Sequence, residues 1–181
     1  MFKIIILFYI LLINSVLADY KLTNLVNNLD STWSITQVNE NIFLINEKGG
    51  NIKFFDKSKK TLKKISHNLK ILEHGQGGLM DIYFYKDKIY VSYTEEIKDN
   101  CWNTSVIHGN INYENIIFEK LFSSKDCIIT KGSNQNGGRI VNFDENHILL
   151  SVGDYRSRSL PQDKKSINGK ILKINISDSN Y

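Results

Sequence analysis

Residues Leu79–Glu95 read LMDIYFYKDKIYVSYTE, an apolar run, a polar turn at Lys86-Asp87-Lys88 and a second apolar run. β-Branched and aromatic residues crowd both arms and no 3.6-residue period is present, so the pattern predicts a β-hairpin. The same plan recurs on either side. Trp33–Glu47 (WSITQVNENIFLINE) turns at Asn39-Glu40-Asn41, and Arg139–Asp154 (RIVNFDENHILLSVGD) turns at Asp144-Glu145-Asn146. The turn centres stand 47 and 58 residues apart, near the roughly 40–50-residue period of propeller blades.

Two of the arms, Ile82-Tyr83-Phe84-Tyr85 and Ile148-Leu149-Leu150, show little alternation. A strand with one wet face alternates, whereas one packed between two sheets need not, and propeller blades pack in that way. Outer strands are expected at Asn51–Asp56 and Thr61–Ser66 after the first hairpin. Ser105–Asn110 and Ile116–Phe122 would follow the second, and Gly169–Asn175 the third. The expected class is an all-β propeller of four-stranded blades, with a β-sandwich of similar length as the alternative. Three hairpins supply about three blades, and closed propellers typically need four to eight. The chain is therefore expected to be the N-terminal part of a longer propeller.

Composition agrees with strands: 181 residues hold nine Tyr, nine Phe and two Trp but one Pro. The apolar fraction of 41% excludes wholesale disorder. Its 23 Lys and Arg lie among 19 acidic residues with no long basic block, which argues against nucleic acid as partner. Met1–Ala18 (MFKIIILFYILLINSVLA) has a positive start, an apolar run and small residues before its end. It reads as a signal peptide, its apolar run short for a membrane span, with an uncleaved single-span anchor as the alternative. Residues 19–181 would be the exported part, with no membrane span, in the periplasm or outside the cell.

Export changes how Cys101 and Cys127 are read: in an oxidising compartment they form a disulfide or remain two buried thiols. The bridge would contribute about 3 kcal/mol by loop entropy. Asn103-Thr104-Ser105 and Asn175-Ile176-Ser177 match the glycosylation acceptor pattern. His67, His108 and His147 are scattered and suggest no metal cluster.

Two turns carry candidate chemistry. Glu73–Asp81 (EHGQGGLMD) leads into the second hairpin, with glycines that permit positive φ and close backbone approach. Ser151–Lys173 (SVGDYRSRSLPQDKKSINGKILK) leaves the third. No helix pattern follows GQGG, so it is not a phosphate loop. Each turn also reads as a plain connection between blades.

Together HGQGGLMD, GGRIVNFDENHILLSVGD and QDKKSINGKILKIN resemble the glucose/sorbosone dehydrogenase family, over about Trp33–Asn175. The resemblance implies an exported six-bladed propeller, of which this chain holds about three blades. It also implies oxidation of aldose sugars or related alcohols with pyrroloquinoline quinone (PQQ) and Ca²⁺, and a periplasmic electron acceptor. Most ligands of those groups would lie beyond residue 181. In the family the Gln of the GQGG-type loop lines the quinone pocket, which is Gln76 here, and the Asp of the "GD" strand end orients the catalytic His, which is Asp154 here. That His stands four residues before the Arg of the GGRI-type strand, and the residue there is Gln135. A glutamine amide hydrogen-bonds but has no proton affinity near neutral pH. His74, two residues before Gln76, is a candidate substitute base, or a solvated or turn-capping histidine. A non-catalytic propeller that binds carbohydrate or protein is the alternative, and a strictosidine synthase- or lactonase-type hydrolase matches less well.

Overall fold

The computed structural model describes residues 20–128 and 134–177; the leader Met1–Ala18 lies outside the described residues. Among the described residues twelve strands form three sheets, with one short 3₁₀ turn. The first hairpin is β1 (Thr32–Gln37) and β2 (Ile42–Glu47), extended by β3 (Ile52–Asp56) and β4 (Thr61–His67). The second is β5 (Leu79–Tyr85) and β6 (Lys88–Lys98), extended by β7 (Cys101–Asn110). After β8 (Asn115–Ile116), β9 (Glu119–Phe122) completes that sheet in the order β5-β6-β7-β9. The third holds β10 (Gly137–Asp144), β11 (His147–Val152) and β12 (Lys170–Asn175). All three expected hairpins are present, as antiparallel pairs. At the second turn Lys86 and Asp87 both take positive φ, as two-residue hairpin loops matched to strand twist require.

One expected strand divides. Ile116–Phe122 was expected to be continuous, but Asn115–Ile116 pairs in parallel with Ser66–His67 of the first sheet, while Glu119–Phe122 pairs with β7. The cause is the Asn68 side chain, whose amide accepts from the Phe118 N–H at 2.9 Å and donates to the Phe118 carbonyl at 3.0 Å. That side chain replaces the ladder at the break, so the segment serves two sheets. The strand expected at Ser105–Asn110 begins earlier, at Cys101.

The middle sheet explains the weak alternation. Ile89, Val91 and Ile107 pack with Leu44, Ile52 and Ile65 of the first sheet. Their neighbours Tyr90 and Val106 point the other way, onto Ile140, Ile148 and Leu150 of the third. Successive side chains thus feed two interfaces, each buried aliphatic residue contributing about 1.5–3 kcal/mol. The third sheet differs. Leu149 is half-buried, and Val141, Phe143 and Ile171 are exposed, so among the described residues one face of this sheet is uncovered.

Of the two acceptor patterns, Asn103 is fully buried, and its amide donates to the Asp126 carbonyl and to Asn168. A glycan there is incompatible with this fold. Asn175 is exposed.

His67 ties β4 to the β2–β3 turn. Its Nε2 lies 2.8 Å from the Gly50 carbonyl, and its Nδ1 accepts from the Leu69 N–H at 3.3 Å. Burial lowers its pKa; the Gly50 carbonyl opposes the shift and Lys64 adds to it. A depressed histidine contributes stability that is complete above the unfolded value and is lost as pH falls through the folded one. Urea midpoints are therefore expected to hold steady from pH 8 to 7 and to fall below about pH 6.5. His67→Gln should flatten that decline; an unchanged decline in this variant would refute the assignment.

Candidate active site

The residues singled out by sequence meet at one end of the sheets, where the turns before β5 and β10 and after β11 converge. Gly75 and Gly78 of the first turn take positive φ. At Gly78 (φ 144) a Cβ would stand 2.2 Å from the Lys48 carbonyl, so only glycine lets this turn pass so close to the β2–β3 turn. The close approach is used: the Leu79 N–H donates to that carbonyl at 2.9 Å. Lys48 Nζ donates to the Gly75 carbonyl at 3.0 Å and pairs with Glu73 at 3.2 Å.

Gln76 and Gln135, 59 residues apart in sequence, touch. The Gln135 N–H donates to Gln76 Oε1 at 2.7 Å. Only an oxygen can accept there, so the orientation of the Gln76 amide is settled and its Nε2 is left as a donor. Both residues are exposed. Gln135 takes a left-handed backbone (φ 56), and its carbonyl accepts from the Tyr155 N–H at 3.3 Å. A Cβ on Gly153 would overlap the Gln135 carbonyl at 1.6 Å, which explains the glycine of the "GD" pair. Asp154 follows, half-buried, and its Oδ1 accepts from the Arg156 N–H at 2.9 Å.

His74 lies in the same glycine-rich turn. It is exposed, its carbonyl accepts from the Gly77 N–H at 2.8 Å, and its ring meets Trp102 edge-on at 5.6 Å between centroids. The chain expected to be bridged is bridged: Cys101 and Cys127 form a disulfide with Cα atoms 5.2 Å apart. It joins the start of β7 to the segment leading toward Gln135. Asp126, beside it, accepts from the Ile167 N–H at 3.1 Å and from Ser166 Oγ at 3.3 Å, tying that segment to the long turn after β11. Among the described residues no three His, Cys, Asp or Glu side chains converge as a metal site.

Sequence reasoning passed over several residues here. Asp81, the charge inside the apolar run LMDIYFY, is 2% exposed. Its Oδ2 accepts from the Ile140 N–H at 2.7 Å, and its Oδ1 accepts from Arg139 at 3.0 Å and from the Ser34 hydroxyl. One carboxylate therefore joins β1, β5 and β10, the first strands of the three sheets. A lone acid in a buried strand was the signal available. Tyr155, with no exposed surface, had none. Its hydroxyl bonds Thr104 Oγ1 at 2.7 Å, and burial pushes its phenol up to about 12, against the opposing bonds to Thr104 and Asn136.

Three blade-like sheets joined along their first strands define part of a β-propeller. Structures of sugar dehydrogenases share this fold. A glucose dehydrogenase superposes with a TM-score of 0.78 at 20% identity, over 84% of this chain and 50% of that one. The PQQ-bound aldose sugar dehydrogenase of Streptomyces coelicolor gives 0.71 at 20% identity, over 84% and 46%. Residues 29–180 match the model of the Glucose / Sorbosone dehydrogenase family, and the chain belongs to that family. A curated relative, the aldose sugar dehydrogenase YliI of Escherichia coli (strain K12), is 26% identical over 159 residues, which is 83% of this chain and 42% of that protein. The soluble aldose sugar dehydrogenase of Escherichia coli, in its apo-form, superposes with a TM-score of 0.74 at 25% identity. This chain spans about half the length of these relatives.

Proposed function

We propose that this chain carries half of the mouth of an exported, PQQ-dependent oxidoreductase acting on the CH–OH group of an aldose sugar or a related alcohol. The observation that carries the reading is the Gln76–Gln135 contact, which brings together two positions of the family's site, one with the family's residue and one departing from it, from the turns before β5 and β10. PQQ, when bound, supplies the acceptor for hydride from the sugar carbon. The residues present fit a binding role toward it. Gln76, its Oε1 engaged, offers Nε2 to an anionic or carbonyl oxygen, and Arg156 and Arg158 stand exposed on the turn after Asp154. They do not fit the proton-taking role at position 135, because an amide has no basicity there. Loss of a general base costs about 10²–10⁴-fold.

Three further blades of a longer chain would cover the open sheet faces, where Trp33 and Ile35 on β1 and Val141 and Phe143 on β10 are exposed. Ca²⁺ ligands and an electron-acceptor surface would belong to that remainder. Export to the periplasm or beyond rests on the leader, and the disulfide agrees with it. The second reading, a propeller that binds carbohydrate without oxidising it, is favoured by Gln135.

The full-length protein, supplied with PQQ and Ca²⁺ and assayed by dye reduction with aldoses, separates the two. Turnover above the quinone-free protein is expected for the first reading. Saturable PQQ binding with no turnover on any aldose would leave the binding reading, and absence of both would end the assignment.

A further inference from the structure

Three loops deliver the three site residues, and a single pair of buried hydroxyls bonds to a neighbour of a site residue in each loop. Thr94 on β6 and Thr104 on β7 are directly opposed partners in the antiparallel ladder, and both are fully buried. Thr94 grips the glycine-rich turn twice: its N–H donates to the Gly78 carbonyl at 2.9 Å, and its Oγ1 accepts from the Gly78 N–H at 3.3 Å. The same Oγ1 accepts from the Asn136 side chain at 3.2 Å. Thr104 holds the far side. Its Oγ1 donates to the Asn136 carbonyl at 3.1 Å and bonds the Tyr155 hydroxyl at 2.7 Å.

Each anchored residue stands next to a candidate site residue. Gly78 is two residues after Gln76, Asn136 one after Gln135, and Tyr155 one after Asp154. Tyr155 and Arg156 both have positive φ, a costly run for non-glycine residues that the buried phenol keeps in place. We propose that the cross-strand Thr94–Thr104 pair is the positioning element of the site, setting Gln76, Gln135 and Asp154 in register with one another. Neither threonine reaches the exposed end of the sheets, so neither is a catalytic residue.

The inference rests on the reading of Gln76, Gln135 and Asp154 as the site, and its test is chosen to stand apart from that reading. Thr94→Val keeps the shape and removes the acceptor shared by Gly78 and Asn136. Amide hydrogen exchange of the chain should then quicken by about ten-fold or more at Gly78 and Gln135, while Val91 and Ile107 in the same sheet keep their protection. Thr94→Ser retains the hydroxyl and should retain the protection. Should Thr94→Val fail to fold, Thr94→Ser together with Thr104→Val carries the test, the latter loosening Tyr155 and Gln135. Unchanged exchange at Gln135 in the valine variants, equal acceleration across the whole sheet, or loss of protection in Thr94→Ser would each overturn the proposal. PQQ titrated onto the full-length protein gives the second readout: the serine variant should bind as the parent does, and the valine variants about ten-fold more weakly. If the parent itself does not bind PQQ, the site reading fails, while the exchange data still decide the positioning role.

Discussion

Gln135→His is expected to raise the rate of PQQ-dependent aldose oxidation by the full-length protein by about 10²–10⁴-fold, the range general-base catalysis typically supplies. A neutral imidazole with a pKa near 6.5 can take a hydroxyl proton at neutral pH, and an amide cannot. The backbone is ready for the exchange. Position 135 has φ 56, a left-handed conformation in which His is enriched among non-glycine residues. Its main-chain bonds, from the N–H to Gln76 Oε1 and from the Tyr155 N–H to the carbonyl, do not depend on the side chain. Asp154, in the turn bonded to that carbonyl, has its Oδ1 engaged by the Arg156 N–H, and on the proposed reading its carboxylate would orient the imidazole. Dye-linked initial rates at pH 6 to 8 measure the gain, which should follow the titration of one group and disappear in Gln135→His combined with Asp154→Ala. An unchanged rate with PQQ binding intact would show that position 135 does not receive the proton.

Asp81→Ala is expected to cost about 2–6 kcal/mol, at about 1–3 kcal/mol for each of two buried donors left without an acceptor. The substitution leaves the Ile140 N–H and the Ser34 hydroxyl without their acceptor inside the contact between three sheets. For a chain of this length each kcal/mol lost corresponds to a fall of about 2–4 °C in Tm. Arg139→Ala should cost much less, because the arginine is 65% exposed and solvent takes over its charge. Urea unfolding of both variants checks the order. Equal effects, or a loss below about 1 kcal/mol for Asp81→Ala, would place the cohesion of the blades in their apolar interfaces alone.

Much of this was legible in residue order. The hairpin turns at Lys86-Asp87 and Asp144-Glu145-Asn146 stand where polar residues interrupt apolar runs, and the runs became strands because strand pairing is nearly local there. The two-faced apolarity of Ile82–Tyr85 marked a sheet with neighbours on both sides. Gln76 and Asp154 could be proposed from motifs that resemble the family's, Gln135 from its departure from them, and the disulfide stood as one of two readings of the cysteine pair. The division of Ile116–Phe122 between two sheets was not legible, because it turns on the amide of Asn68, 50 residues away from Phe118 in sequence. Thr94, Thr104 and Tyr155 were equally silent. A buried threonine in a strand looks like any β-branched residue until its hydroxyl finds a partner.

By itself, then, the amino-acid sequence determined the three hairpins, most of their outer strands and the family, since these follow from short-range alternation and from motifs whose residues are neighbours in the chain. Only the tertiary structure decided that Asp81 holds three sheets together, that Asn103 is closed to modification, and that the Gln76 side chain accepts from the Gln135 N–H. Those facts depend on long-range hydrogen bonds among polar groups removed from water, and a polar residue's order in the chain carries no record of which distant partner will satisfy it.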